Sequence, residues 1–158
     1  MLQDEHLLQY IRCECGEKPV FYDRLGTNVG LLKLIPGTDA ALLEFMAGRY
    51  DGLVIESFGV GGLPQYEAEG FYPIIRDAVE QGKIVVMTTQ VPNEGSDLTV
   101  YHVGGHLKNT LRLLEAYDMT TEAAVAKLMW IMGQTRDFDE VQRLFYAPVA
   151  NDILYSAE

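Results

Sequence analysis

From Val29 onward, short apolar runs alternate with segments whose apolar residues recur at helical spacing, which restricts the chain to βαβ units and a largely parallel sheet. Val29-Gly30-Leu31-Leu32-Lys33-Leu34-Ile35 reads as the first strand, stopped by Pro36-Gly37. Thr38 or Asp39 can cap a helix running through Leu42, Leu43 and Met46 to Gly48. A second strand covers Gly52 to Ser57. Ile74, Ile75, Ala78 and Val79 then repeat at helical spacing, with Gly82 as the stop. Lys83 to Thr88 forms a third strand, and its almost unbroken apolar character calls for cover on both faces. Further on, the pattern predicts a helix over about Gly105 to Leu111, a short fourth strand near Leu113 and a helix capped by Thr120 with Glu122 in its first turn. A last short helix covers Asp139 to Phe145. The implied class is α/β: a three-layer open sheet, mostly parallel, of flavodoxin or Rossmann-like type.

Residues 29–150 read as one α/β domain and 151–158 as a tail. Residues 1–28 differ. Leu8 to Cys13 and Pro19 to Tyr22 can each be extended, which suggests a loose hairpin or linker strand leading into the domain. Ala123 to Met132 is apolar almost all round. A helix covering one side of a sheet needs only a stripe, so the surplus predicts packing on two sides, with another subunit as one candidate for the second.

Charge narrows the partners. Twelve Lys and Arg stand against twenty-three Asp and Glu among 158 residues, a formal charge of −11 that repels nucleic-acid backbones and anionic membranes. No run is long enough to span a bilayer and no signal peptide opens the chain, so a cytoplasmic location is expected. The two cysteines, Cys13 and Cys15, lack a second pair at metal-site spacing and read as free thiols. His102 and His106 have helical metal-pair spacing, but Gly104 and Gly105 between them disfavour a rigid helix. No metal site is therefore expected.

Two loops leave the carboxyl ends of predicted strands, where parallel sheets form their ligand crevices. One is the glycine-rich Gly59-Val60-Gly61-Gly62-Leu63-Pro64, which has neither dinucleotide nor P-loop spacing. Its glycines fit a close approach to a small ligand and equally a tight turn needing positive φ. The other is the polar Thr88-Thr89-Gln90 to Gly95-Ser96-Asp97, whose hydroxyl and amide groups suit a carboxylate or amide ligand. No local motif marks a catalytic nucleophile.

Four segments together resemble one family: Leu31 to Thr38, Gly52 to Pro64, Thr88-Thr89-Gln90 with Gly95-Ser96-Asp97, and Asp118-Met119-Thr120 with Ala126 to Trp130. In order and spacing they are similar to the carboxyl-terminal domain of bacterial L-asparaginases, closest to the cytoplasmic type I branch, over roughly residues 19 to 146. The resemblance implies hydrolysis of L-asparagine to L-aspartate and ammonia, without cofactor, by threonines in an amino-terminal domain. Their Thr-Gly-Gly-Thr and Gly-Thr-Asp-Thr segments are absent here. Gly37-Thr38-Asp39 imitates part of the second, but Ala40 follows.

The same resemblance implies a dimer in which Ser57, Phe58, Gly59, Val60, Gly61 and Gly62 support substrate held by a neighbouring protomer, with Thr88, Thr89, Gln90, Ser96 and Asp97 as a secondary loop. Gly62 stands where some relatives have asparagine. Glu56 and Val91 stand where some relatives place an effector-binding arginine and cysteine, which speaks against that regulation. Expected partners are L-asparagine or L-aspartate, the protein's own amino-terminal domain and a second copy. A stand-alone amino-acid-binding or regulatory module, or a plain oligomerisation module, is the alternative.

Overall fold

The computed structural model describes residues 18, 20–59, 61–63, 70–91, 95–98, 111–149 and 152–154. The elements follow in the order β1 (Val29–Lys33), α1 (Ala40–Arg49), β2 (Gly52–Ser57), α2 (Phe71–Glu80), β3 (Ile84–Thr89), β4 (Leu114–Glu115), α3 (Thr121–Met132) and α4 (Phe138–Tyr146). The sheet runs β1-β2-β3-β4 and every pairing is parallel. All four carboxyl ends therefore share one edge.

Alternation along the strands sorts the core into two layers. Leu32, Leu34, Leu53, Ile55, Val85 and Met87 face α1 and α2, meeting Leu43, Met46, Phe71 and Ile75. Val29, Val54, Ile84, Val86 and Leu114 face the other way, against Ala124, Leu128 and Ile131 of α3 and Val141 and Phe145 of α4. Every residue of β2 and β3 is buried, as strands covered on both faces must be. The expected three-layer α/β sheet is thus present.

The helix ends follow local chemistry. Asp39 caps α1 by accepting from the Ala41 N–H at 2.9 Å, Thr120 caps α3 through the Ala123 N–H at 3.2 Å, and Asp137 caps α4 through the Glu140 N–H at 3.0 Å. Some boundaries move. β1 ends at Lys33 rather than Ile35, because the Thr38 hydroxyl accepts the Ile35 N–H at 2.9 Å and donates to the Ile35 carbonyl at 2.7 Å, folding the chain into a turn. β3 runs on to Thr89, one residue past its expected end, so Thr89 belongs to the strand rather than to the loop, while Thr88, read both as the last strand residue and as the start of the polar loop, lies within the strand. α4 begins at Phe138 and continues to Tyr146.

The lead-in and α3 differ more. Residues 20–28 contain neither helix nor strand. They lie along α3: the Tyr22 ring meets Trp130 edge-on at 5.1 Å and the Gly26 N–H donates to the Met129 carbonyl at 2.8 Å. With the sheet on one side, α4 on another and the lead-in on a third, the surplus apolar surface of α3 is taken up within this chain, and no second subunit is needed to explain it. Large exposed apolar side chains occur in the lead-in itself, at Val20, Phe21, Tyr22 and Leu25, and on and beside β1 and α1, at Leu31, Ile35, Leu42 and Phe45. The segments 8–13 and 105–111, Cys13, Cys15, His102 and His106 lie outside the described residues, save Leu111 at the end of the second segment.

Candidate functional site

At the carboxyl edge, a row of polar residues interrupts the apolar strands. Lys33 pairs in register with Glu56, and Glu56 with Thr88, so alternation turns all three toward the α3 face. Lys33 Nζ lies 2.7 Å from Glu56 Oε1, an ion pair in which the Glu56 side chain is only 9% exposed. Thr88 is fully buried, its hydroxyl 3.5 Å from that of Thr121. Over this row stands the first turn of α3, whose free N–H groups carry a partial positive charge. Between row and helix lies an open cleft of about 280 Å³, floored by Lys33 and Glu56, walled by residues 118–122 and closed at its lip by Thr89, Gln90, Val91 and Gly95.

The strand ends are bound to one another around this cleft. Gln90 Nε2 donates to the Leu34 carbonyl at 2.5 Å, reaching over the end of β2 from β3 to the chain leaving β1. The Thr89 hydroxyl donates to the Gly59 carbonyl and accepts the Val91 N–H at 3.0 Å, which joins the glycine loop to the polar loop. Ser96 N–H donates to the Tyr117 carbonyl at 2.7 Å. Gly95 has φ +72, and a Cβ there would fall 2.7 Å from the Tyr117 oxygen, so both its conformation and its packing require glycine.

The glycine loop is a closed turn. Phe58 and Gly62 form an antiparallel bridge, and the Phe58 carbonyl accepts N–H groups from Gly61 at 3.2 Å and Gly62 at 2.6 Å. These two donors therefore shape the turn. Ser57 is fully buried and donates to the Thr88 carbonyl at 2.7 Å, so its hydroxyl serves the sheet. Gly61 is buried against Asp97 and Leu98, while Phe58, Gly59 and Gly62 are half-buried.

The two loops thus abut, as their positions after neighbouring strands imply, yet only Thr89 and Gln90 among the expected residues line the cleft. Ser57, Phe58, Gly59, Gly61, Gly62, Thr88, Ser96 and Asp97 do not, and Val60 lies outside the described residues. Sequence reasoning overlooks Lys33, Asp118, Thr121 and Glu122 as cleft residues. One signal for the floor is a charged residue inside each of two otherwise apolar strands, at Lys33 and Glu56.

The cleft can bind but is not equipped to attack. Its carboxylates, Glu56, Asp118 and Glu122, suit an ammonium group, whereas Lys33 and the α3 amino end suit a carboxylate. The hydroxyls of Thr88, Thr89, Thr120 and Thr121 all engage backbone groups or one another. Among the described residues, no cluster of His, Cys, Asp and Glu is placed to hold a metal ion, and no helix is long and apolar enough to cross a membrane.

Residues 28–145 match the family model of the glutaminase/asparaginase C-terminal domain. The chain belongs to this family. It is 37% identical over 150 residues to an L-asparaginase of Thermococcus kodakarensis, covering 95% of this chain and 45% of that protein. It is 36% identical over 132 residues to a glutamyl-tRNA(Gln) amidotransferase component of Pyrococcus horikoshii, covering 83% of this chain and 29% of the relative. The solved thermostable L-asparaginase of T. kodakarensis superposes with a TM-score of 0.83 over 94% of this chain and 44% of its own, at 36% identity. L-asparaginase I of Vibrio cholerae superposes with a TM-score of 0.70 at 26% identity, over 81% of this chain and 38% of its own. The chain therefore spans less than half the length of these relatives.

Proposed function

We propose that this chain acts as the carboxyl-terminal half of an L-asparaginase, a cytoplasmic enzyme hydrolysing L-asparagine to L-aspartate and ammonia. The observation that carries this reading is agreement with the T. kodakarensis asparaginase in both sequence and fold over nearly the whole chain. The threonine nucleophile and its proton acceptor belong to an amino-terminal domain, since the cleft hydroxyls here are engaged and neither threonine motif occurs in the sequence. The role of this half is to hold a shaped rim, the turn Ser57 to Gly62 braced by Thr89, against substrate bound in a neighbouring protomer. Assembly as a homo-oligomer is part of this reading. Purified alone, the chain releases no ammonia from L-asparagine; sustained release by the pure chain would overturn the assignment.

The amidotransferase relatives favour a second reading, the equivalent half of an amidase feeding a tRNA-dependent transamidation. The formal charge of −11 weighs against close engagement of a phosphate backbone by this domain. Two alternatives, an amino-acid-binding module and a plain oligomerisation module, are separated from each other by calorimetry. Saturable heat on titrating the chain with L-asparagine or L-aspartate identifies a binding module, and a flat trace excludes one.

A further inference from the structure

Lys127 lies in the second turn of α3 with its side chain only 4% exposed. A buried ammonium group is strongly destabilising unless it is paired and hydrogen-bonded. Its partners come from the chain after α4: Asp152 Oδ2 at 2.8 Å and the Ala147 carbonyl at 2.7 Å. Asp152 also accepts the Val149 N–H through Oδ1 at 2.7 Å, so one carboxylate both shapes the tail and ties it to the helix. Ile153 follows at 1% exposure, in the same core layer as Met119. The Leu154 N–H then donates to Asp118 Oδ2 at 2.9 Å.

The tail thus holds α3 at two places, the buried Lys127 and the turn that leads into the helix. Asp118 and Met119 in that turn are also wall residues of the cleft. We propose that the carboxyl-terminal tail, residues 147–149 and 152–154, is a latch that holds the cleft wall 118–122 in place, with Lys127–Asp152 and Leu154–Asp118 as its two fastenings. The latch connects the end of the chain with the cleft: anything that draws the tail away loosens the wall while leaving the sheet intact. Charge and shape both favour a closed latch, because opening it breaks the Lys127–Asp152 pair and exposes Ile153.

Amide hydrogen exchange on the full chain tests this with two variants. Lys127→Met keeps the length of the side chain and removes the buried charge, so the tail loses its ionic fastening without an orphaned cation. Leu154→Pro removes the N–H that reaches Asp118, at a residue whose side chain is 60% exposed. In both variants the Met119 and Ala123 amides are expected to exchange roughly tenfold faster or more, while the Val86 amide in β3 keeps its rate. Unchanged Met119 and Ala123 amides in either variant would overturn the proposal. So would an acceleration shared equally by Val86, which would show general loss of stability rather than release of a wall.

Discussion

Replacing Gly95 by Ala puts a methyl group where the polar loop presses on the turn at the end of β4. Two costs add. At φ +72 a non-glycine residue loses about 1–2 kcal/mol. The new Cβ would also lie 2.7 Å from the Tyr117 oxygen and 3.0 Å from its carbonyl carbon, so the two backbones must separate. Separation weakens the 2.7 Å bond from the Ser96 N–H to the same Tyr117 oxygen, worth about 0.5–1.5 kcal/mol. The turn yields poorly, because Tyr117 is itself at φ +49 and the neighbouring Ala116 N–H is bonded to the Met87 carbonyl at 2.8 Å.

Gly37 supplies the control. It has φ +84 with nothing within 4 Å of a Cβ, so Gly37→Ala meets the conformational cost alone. Both variants gain the same about 0.4–1 kcal/mol from a stiffer unfolded chain. Gly95→Ala should therefore lose about 1.5–3.5 kcal/mol before that gain, and about 0.5–1.5 kcal/mol more than Gly37→Ala. Urea unfolding of the three proteins, followed by tryptophan fluorescence and compared at a common midpoint, measures the difference. Losses that coincide, or a larger loss for Gly37→Ala, would refute the close approach of the loop to the β4 turn.

Thr89→Val removes the hydroxyl shared by the Gly59 carbonyl and the Val91 N–H, and should cost about 1–3 kcal/mol in urea unfolding, whereas Thr89→Ser should cost about 1 kcal/mol or less. Equal losses would deny the hydroxyl its bracing role. At the opposite edge of the sheet, hydrogen bonds from Arg136 at 2.7 Å and Asn28 at 2.9 Å hold the Asp51 carboxyl below its ordinary pKa of 3.8. A depressed carboxyl stabilises the fold above its unfolded pKa, and that contribution fades as pH falls through the lowered folded value. The urea midpoint of Arg136→Met should therefore lie below that of the natural protein near neutral pH, and the gap should narrow as acid protonates Asp51. A gap that persists or widens in acid would contradict the assignment.

How much of this was legible follows from the range of each interaction. β2 reads correctly as Gly52 to Ser57 because an apolar run between Asp51 and a glycine loop is local information, and Asp39, Thr120 and Gly82 act as expected for the same reason. Thr88 closes the expected strand and Thr89 looks like a loop residue in sequence, but pairing of Ser57 with Thr89 carries β3 one residue further. The surplus apolar surface of α3 is visible in its composition, although what covers it, α4 and the distant Tyr22, is not. The cleft is hidden for a similar reason. Its floor joins Lys33 to Glu56 across 23 positions, and its wall comes from the turn before α3, so no single stretch contains a recognisable motif. The burial of Ser57 is equally a property of the assembled sheet, which sets its hydroxyl against the Thr88 carbonyl 31 positions away.

Under the proposed function, this half of the molecule completes amide hydrolysis carried out by threonines outside it. The most direct test is ammonia release from L-asparagine, measured on this chain, on a matching amino-terminal domain and on their purified mixture. Little release from either part and sustained turnover from the complex are expected. A stable complex with correctly folded partners that releases no more ammonia than the separate parts would contradict the proposed function.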